Sequence, residues 1–331
     1  MRALRWGVLG LVLSTTAPSH AYVRSRTTHG TVTAWRSNCI MVQPDSVGTA
    51  DLPAATLTSV IQASLQAWTM ATMGCSYLAL NYVAPAPLDA HYDGINTIKF
   101  RSDKWCHPDD AKSNSICYSK AAAGITTIYY VDSPGHEADG SMLDADVELN
   151  NINFTFAVVD PAAPTSIMPR AGTSLADLAN TLVHEIGHLQ GLDHTCADAA
   201  TSPTALDDTG MKPTACSALA TLAPDARTRI RDATMFNSAD AGETKKRTPE
   251  ADDVAGICNA YPTAMKPAAC SPADLSGFGG GCDIGYGTGG GSLMRALVLG
   301  LLLSLFALLR RCDWRAPPST GSLGRPDKLS R

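Results

Sequence analysis

The stretch TLVHEIGHLQGLDHT, residues 181–195, carries three of the eight histidines of the chain. His184 and His188 are one helical turn apart, so both imidazoles lie on the same face of a predicted helix. Gly191 can adopt the left-handed conformation that often ends a helix, which allows the chain to turn back and bring in His194. Three neutral imidazoles on a divalent ion, with a fourth position open, are typical of a catalytic zinc site. The pattern therefore predicts Zn²⁺ as a cofactor on these three histidines.

Glu185 lies one position further round the same helix and is not needed as a ligand. A carboxylate at that place can take the proton of a water molecule held by the metal, so we expect Glu185 to act as a general base. The helix is predicted over about 174–190, because Ser174 and Asp177 suit its start and the apolar residues recur at helical spacing.

The remaining elements are predicted from the spacing of apolar residues and from β-branched or aromatic content. Helices are expected at 55–70 and within 248–262, and strands at 96–102, 124–132 and 142–151. In the last strand, acidic and apolar residues alternate, which indicates a half-buried strand. A solvated face is the favoured interpretation of Asp144, Asp146 and Glu148, and a Ca²⁺ site is the alternative.

Length and composition indicate one sizeable exported domain. The chain has 331 residues and 45% hydrophobic content. Residues 1–21 combine a basic start, a short apolar core and a small-residue cleavage site, as in a Sec-type signal peptide. The predicted boundaries are as follows: signal peptide 1–21, globular domain 22–265, Gly/Pro-rich linker 266–291, hydrophobic segment 292–311 and basic tail 312–331.

Cysteine usage also fits export. Eight of the ten cysteines lie between Cys39 and Cys270, and an even number in an exported domain suggests disulfides. The expected pairs are Cys106–Cys117, Cys196–Cys216, Cys258–Cys270 and Cys39–Cys75. The net charge is −5, and both ends of the chain are basic, so the part between them is more acidic than the whole. That balance argues against nucleic acid as a partner.

The histidine motif HEIGHLQGLDH, followed by ATMF at 233–236, resembles the metzincin zinc endopeptidases. Thr195, the strand MLDADVELNN and the segment PEADDVAGICNAYP are similar to the matrixin branch, which includes the matrix metalloproteases. The resemblance implies an α+β fold of the zincin/metzincin type. Such a fold has a twisted mixed β-sheet, a zinc-binding active-site helix, an edge strand and a Met-turn, here at Met235. The chain departs from matrixins in a long insertion between His194 and Met235 and in lacking a visible cysteine-switch propeptide.

By this resemblance, the chain is expected to be a zinc metalloendopeptidase that cleaves proteins or peptides through a zinc-activated water, and to be a monomer. An extended substrate would add antiparallel to the strand GITTIYYV, 124–131. Two alternatives remain, a catalytically inactive metzincin-fold surface binding protein and a zinc hydrolase of a non-peptide substrate. Retention of Glu185 and of all three histidines argues against the inactive alternative.

The C-terminal tail predicts where the protein resides. Cys282, the uncharged run 296–309 and the pair Arg310–Arg311 together resemble the MYXO-CTERM sorting signals of myxobacterial surface proteins. That resemblance implies processing near Cys282 and location at the cell surface or outer membrane, or release outside the cell. A short permanent transmembrane anchor, with Arg311 on the cytoplasmic side, is the alternative.

Overall fold

The computed structural model of the chain describes residues 22–108, 116–199, 201–267, 322–323 and 328–329. Residues 22–267 belong to one compact unit. Its α-helices are α1 (Ala54–Thr72), α2 (Leu178–Leu189), α3 (Pro224–Asp232) and α4 (Ala251–Ala260). Short 3₁₀ helices span Cys216–Thr221, Lys245–Arg247 and Thr263–Met265.

The strands are short except for two long neighbours near the candidate site. They are β1 (Val23–Arg24), β2 (Ala34–Trp35), β3 (Cys39–Pro44), β4 (Ala79–Tyr82), β5 (Asn96–Arg101), β6 (Cys106–His107), β7 (Ile116–Cys117), β8 (Gly124–Asp132), β9 (Ser141–Asn150), β10 (Phe154–Ala157), β11 (Ser174–Asp177), β12 (Leu192–Asp193), β13 (Leu206–Asp207), β14 (Ser322–Leu323) and β15 (Lys328–Leu329).

The main sheet is mixed and mostly parallel. Its strands follow the order β8-β9-β5-β3-β4, and β9, β5, β3 and β4 are mutually parallel. The long strand β8 runs antiparallel to β9. On its other side, β8 pairs over two residues with β15, also antiparallel. The expected mixed sheet, with a histidine-bearing helix beside it, is therefore present.

Helices α1 and α2 pack against each other, and α2 also lies against β8 and β9. Helix α1 forms where its apolar spacing predicts it, because Leu57, Ile61, Leu65 and Trp68 are buried along one stripe. The indole of Trp68 donates a hydrogen bond to the carbonyl oxygen of Val183 at 2.8 Å. This contact fixes the separation of the two helices at the level of the histidines.

The predicted start of the histidine-bearing helix is wrong by four residues. Ser174–Asp177 forms β11, which pairs in parallel with β10 from Phe154 to Ala157. Helix α2 begins at Leu178, and the side chain of Asp177 accepts the amide hydrogen of Asn180 at 2.8 Å as its N-cap. A non-local strand partner, which spacing along the chain does not reveal, holds this segment extended.

The acidic row of β9 is buried, so the predicted solvated face is wrong. Asp144, Asp146 and Glu148 are each 0% exposed. Glu148 accepts a hydrogen bond from Arg101 at 2.5 Å and lies 2.7 Å from Nδ1 of His107. The segment around β6 and β7 therefore covers this end of the strand, and a paired cation offsets the cost of burying the carboxylate.

Backbone amides donate hydrogen bonds to the other two carboxylates of the row, those of Asp144 and Asp146. Asp144 accepts from the amides of Asp93 and Gly94, both at 2.9 Å, and Asp146 accepts from Thr97 at 2.9 Å. Burial raises the pKa of Asp144 to about 6. Within the described ranges these carboxylates do not belong to a group of three close ligands, so the Ca²⁺ alternative gains no support.

Two of the four expected disulfides are confirmed, and two are wrong. Cys106–Cys117 and Cys196–Cys216 form as expected, but Cys75 pairs with Cys258 rather than with Cys39. The Cα atoms of Cys75 and Cys258 are 5.2 Å apart. The end of α1 and the end of α4 lie side by side there, with the amide of Tyr77 donating to the carbonyl of Tyr261 at 2.9 Å. Cys39 is also disulfide-bonded, and Cys270 lies outside the described residues.

The signal peptide 1–21, most of the linker 266–291, the hydrophobic segment 292–311 and most of the tail 312–331 lie outside the described residues. In the part of the chain that the structure describes, no helix is both long enough and apolar enough to cross a membrane. The anchor and the export signal therefore stay predictions from the sequence.

The Cys75–Cys258 bridge is expected to stabilise the fold more than the Cys106–Cys117 bridge. The two bridges close loops of sequence separation 183 and 11. From loop-closure entropy, replacing both cysteines of a bridge by serine should cost about 5 kcal/mol for the long loop and about 3 kcal/mol for the short one. Chemical denaturation of the two double variants measures the difference.

Peptide mapping without reduction is the control for connectivity and should recover a peptide pair linked through Cys75 and Cys258. Recovery of a Cys39–Cys75 pair instead would contradict the connectivity described above.

Candidate metal centre

Helix α2 is buried on almost every side, and it places two imidazoles on one face. The ring centroids of His184 and His188 are 4.8 Å apart, and those of His188 and His194 are also 4.8 Å apart. One ligand atom from each of the three rings lies within 4.8 Å of the other two. The structure thus brings together the three histidines that the sequence predicts, in a group compact enough to hold a metal ion.

Hydrogen bonds at Nδ1 leave the other ring nitrogens available. Nδ1 of His184 lies 2.7 Å from the carbonyl oxygen of Thr234, and Nδ1 of His188 lies 2.8 Å from that of Leu192. A carbonyl only accepts, so both Nδ1 atoms carry the hydrogen and both Nε2 atoms keep a lone pair. The Nε2 atoms of His188 and His194 are buried without a hydrogen-bond partner. Buried orphan nitrogens that converge on one point fit a metal ligand set.

The charge states of the His184 and His188 rings also fit metal binding. Burial lowers the pKa of His184 well below its ordinary value, and the pKa of His188 falls for the same reason. Repulsion from the nearby ammonium of Lys246 lowers both pKa values further. Both rings are therefore neutral at physiological pH, as metal ligation requires.

His194 reaches the site because the chain reverses just after α2. Gly191 has φ +88°, the left-handed conformation predicted for it. Arg24 donates hydrogen bonds to the carbonyl of Gly191 at 3.1 Å and to that of Thr33 at 2.8 Å. Strand β12 then pairs with β1, which aligns Val23 with Asp193, the residue before His194. The N-terminal strand of the domain thus holds the turn that delivers the third histidine.

A carboxylate from the inserted segment faces the third histidine. Oδ2 of Asp198 lies 3.4 Å from Nδ1 of His194, and the same oxygen accepts a hydrogen bond from Asn237 at 2.7 Å. Its other oxygen accepts from the amide of Thr201 at 3.1 Å. Sequence reasoning missed Asp198, and its spacing of four residues after the third histidine was the available signal. Such outer carboxylates orient metal-ligating imidazoles.

Met235 packs against the middle of α2. It lies in a turn closed by the hydrogen bond from the amide of Phe236 to the carbonyl of Ala233 at 3.1 Å, and it is fully buried. A Cβ atom added to Gly187 would collide with the sulfur of Met235, so a larger residue at that place in the helix would displace the methionine. Asp253 of α4 accepts the amide of Thr234 at 2.6 Å and thereby holds the turn.

Glu185 is 2% exposed and lies between β8 and the histidines. The hydroxyl of Thr126 donates to its Oε2 at 2.7 Å, and a Cβ atom added to Gly124 would come within 2.6 Å of its Oε1. Burial raises the pKa of Glu185 to about 8, opposed by the Thr126 hydrogen bond and by Lys246. A cation held by the neighbouring imidazoles would lower that pKa, because an opposite charge favours the ionised form.

A cavity of about 320 Å³ opens beside Glu185 and His184. The chain after Met235, residues 237–241, forms one of its walls. The buried ammonium of Lys246 donates to the carbonyls of Phe236 at 2.6 Å and Ser238 at 2.8 Å, which fastens this wall. Burial lowers the pKa of Lys246 to about 8. Sequence reasoning missed Lys246, since nothing in its local pattern distinguishes it from a surface lysine.

No protein-family model matches the chain, and no curated protein matches it in sequence. What the site can do therefore follows from its own geometry. Three imidazole nitrogens are compatible with several divalent transition metals, and Zn²⁺ is the one that most often takes three histidines with an open position. The structure shows a three-histidine site compatible with a metal ion, and the identity of the metal belongs to the proposal below.

Asp198 is expected to support metal binding without being a ligand. Asp198→Ala should weaken Zn²⁺ binding about 10- to 100-fold, because loss of an outer carboxylate loosens the orientation of a ligating imidazole. His194→Ala, which removes a ligand, should weaken it more. Competition titration against a chromophoric chelator measures both affinities.

Asp225→Ala is the matched control, because Asp225 is an exposed aspartate of the same inserted segment. It should bind Zn²⁺ as the parent does. Equal affinity in Asp198→Ala and the parent would show that this carboxylate does not act on His194.

Proposed function

We propose that the chain is a zinc-dependent endopeptidase of the metzincin type, similar to the matrixins, that hydrolyses peptide bonds in proteins. The observation that carries the proposal is one juxtaposition. The carboxylate of Glu185 and the ring of His184 line the same cavity as Gly124, the first residue of β8. An extended peptide could pair with the outer side of that strand in place of β15. A metal site, a base and a peptide-binding edge are the three parts that such a hydrolase needs.

The ligands of the proposal are His184, His188 and His194. When bound there, Zn²⁺ would supply a Lewis acid that polarises a carbonyl and lowers the pKa of water. Glu185 takes the proton of the attacking water and passes it to the leaving amine as the peptide bond breaks. Burial of Glu185 at 2% exposure keeps bulk water from competing for this proton.

The edge of β8 supports a peptide as the substrate. Its inner side pairs with β9, and its outer side accepts the short antiparallel strand β15, with Thr127 opposite Lys328 and Thr126 opposite Leu329. The outer side of Thr126 and Thr127 that pairs with β15 is the one that a peptide would use, so an antiparallel peptide would take the place of β15. Main-chain pairing of this kind favours extended peptides over small non-peptide substrates.

The two alternatives are less well supported by the site. A binding protein on an inactive scaffold has no use for a carboxylate held by Thr126 beside three histidines. A zinc hydrolase of a non-peptide substrate would not need main-chain pairing on the outer side of β8. Export and attachment at the cell surface, with proteins or peptides as partners and a monomeric state, remain part of the proposal and rest on the sequence.

Glu185→Gln should lower the rate of peptide cleavage by about 10²- to 10⁴-fold, because it removes the general base and keeps the shape of the side chain. The Zn²⁺ content should stay at that of the parent, since no ligand is changed. Cleavage of casein and of a quenched fluorescent peptide, with metal analysis of the same samples, measures both quantities. A metal chelator should abolish the activity of the parent.

Glu137→Gln serves as the control, because Glu137 is an exposed glutamate on the loop after β8. It should cleave at the parental rate. Parental activity in Glu185→Gln would exclude this residue as the base, and a metal-loaded parent without any peptidase activity would exclude the function itself.

A further inference from the structure

We propose that Thr126 is a positioning residue for the general base: its hydroxyl, together with the space left by Gly124, fixes the carboxylate of Glu185 in one orientation. This inference rests on the proposed peptidase function and names a residue of the edge strand as part of that site. Thr126 is not among the residues that line the cavity, and it acts through Glu185.

A buried glutamate needs a hydrogen-bond partner to fix its carboxylate, because the carboxylate rotates easily about its last side-chain bond. The last torsion of a glutamate side chain is broad and roughly two-fold, so packing alone fixes it poorly. Oε2 of Glu185 accepts a hydrogen bond from Thr126 at 2.7 Å, and the main-chain carbonyl of Glu185 lies 3.1 Å from the same hydroxyl. A single hydroxyl therefore contacts both the side chain and the backbone of the proposed base.

Thr126 is itself rigid. It is fully buried, and its backbone lies in the β8–β9 ladder opposite Val147. Its β-branched side chain has few rotamers to choose from. The sheet thus sets the direction of the Thr126 hydroxyl, and helix α2 sets the backbone position of Glu185. Together they define the orientation of the carboxylate.

Gly124 lies two residues before Thr126 in β8. A side chain at position 124 would point to the same face of the strand as that of Thr126. A Cβ atom there would come within 2.6 Å of Oε1 and 2.8 Å of Cδ of Glu185. Oε1 consequently occupies the space that any larger residue would fill, beside the cavity that Gly124 and Glu185 both line. One carboxylate oxygen is held by Thr126, and the other faces the place where a water molecule and a substrate would react.

Strand β8, with which a peptide would pair, thus also orients the carboxylate of the proposed base, Glu185. A displacement of a reacting group by about 1 Å can cost on the order of 10²-fold in rate. A common support for substrate and base keeps such displacements small, because both then move with β8.

The test compares four variants with the parent, using Zn²⁺ content, kcat and KM for a quenched peptide. Thr126→Val keeps the shape and removes the donor, and it should lower kcat about 10- to 100-fold while KM and Zn²⁺ content stay near parental values. Thr126→Ser keeps the hydroxyl and should restore most of kcat. Gly124→Ala should lower kcat as well, because it displaces Oε1.

Thr97→Val is the matched control: Thr97 is a buried threonine of β5 in the same sheet, and its hydroxyl donates to the carbonyl of Ile95 at 3.2 Å rather than to Glu185. It should keep parental kcat. Parental kcat in Thr126→Val, or a loss that Thr126→Ser does not restore, would overturn the inference while leaving the peptidase function in place.

A crystal structure of Thr126→Val gives a second readout that does not depend on activity. The carboxylate of Glu185 should be rotated or disordered relative to the parent. An unchanged carboxylate would overturn the inference even if the parent proved not to cleave peptides, the result that would separately refute the proposed function.

Discussion

Two hydrogen bonds from imidazole Nδ1 atoms to backbone carbonyls tie the histidine-bearing helix to both loops that surround the site. The bond from His184 to Thr234 fixes α2 against the turn that holds Met235. The bond from His188 to Leu192 fixes α2 against the strand that leads to His194. Losing either partner would leave a buried donor unsatisfied, at about 1–3 kcal/mol. The convergence of all three rings therefore depends on these two contacts.

The supports of the site reach from these loops to distant parts of the chain. The turn at Met235 is held by Asp253 on α4, and α4 is joined to the end of α1 through the bridge between Cys75 and Cys258. Strand β12 is held by β1 at the start of the described domain. Elements separated by much of the sequence thus meet around one helix, and a rigid site needs supporting contacts of this kind.

The sequence predicts those parts of the fold whose signals are local. The spacing of His184 and His188, the helix end at Gly191 and the extended conformation of β9 are each fixed by neighbours within a few residues. The features that it does not predict depend on distant partners. Ser174–Asp177 is a strand because of β10, and Asp144 is buried because the backbone of residues 93 and 94 covers it. The Thr126 partner of Glu185, 59 residues away, belongs to the same class.

The polar interior of the site carries an energetic cost that the rest of the fold must offset. Orphan imidazole nitrogens and a carboxyl with a pKa of about 8 are unfavourable in a buried place. A cation on the three rings would remove both difficulties together, because it would satisfy the nitrogens and favour the ionised form of Glu185. An ion that binds only the folded chain also stabilises it by mass action. The disulfide between Cys75 and Cys258 and the core that joins α1 to α2 stabilise the same unit, so their contribution adds to the one that the ion would make.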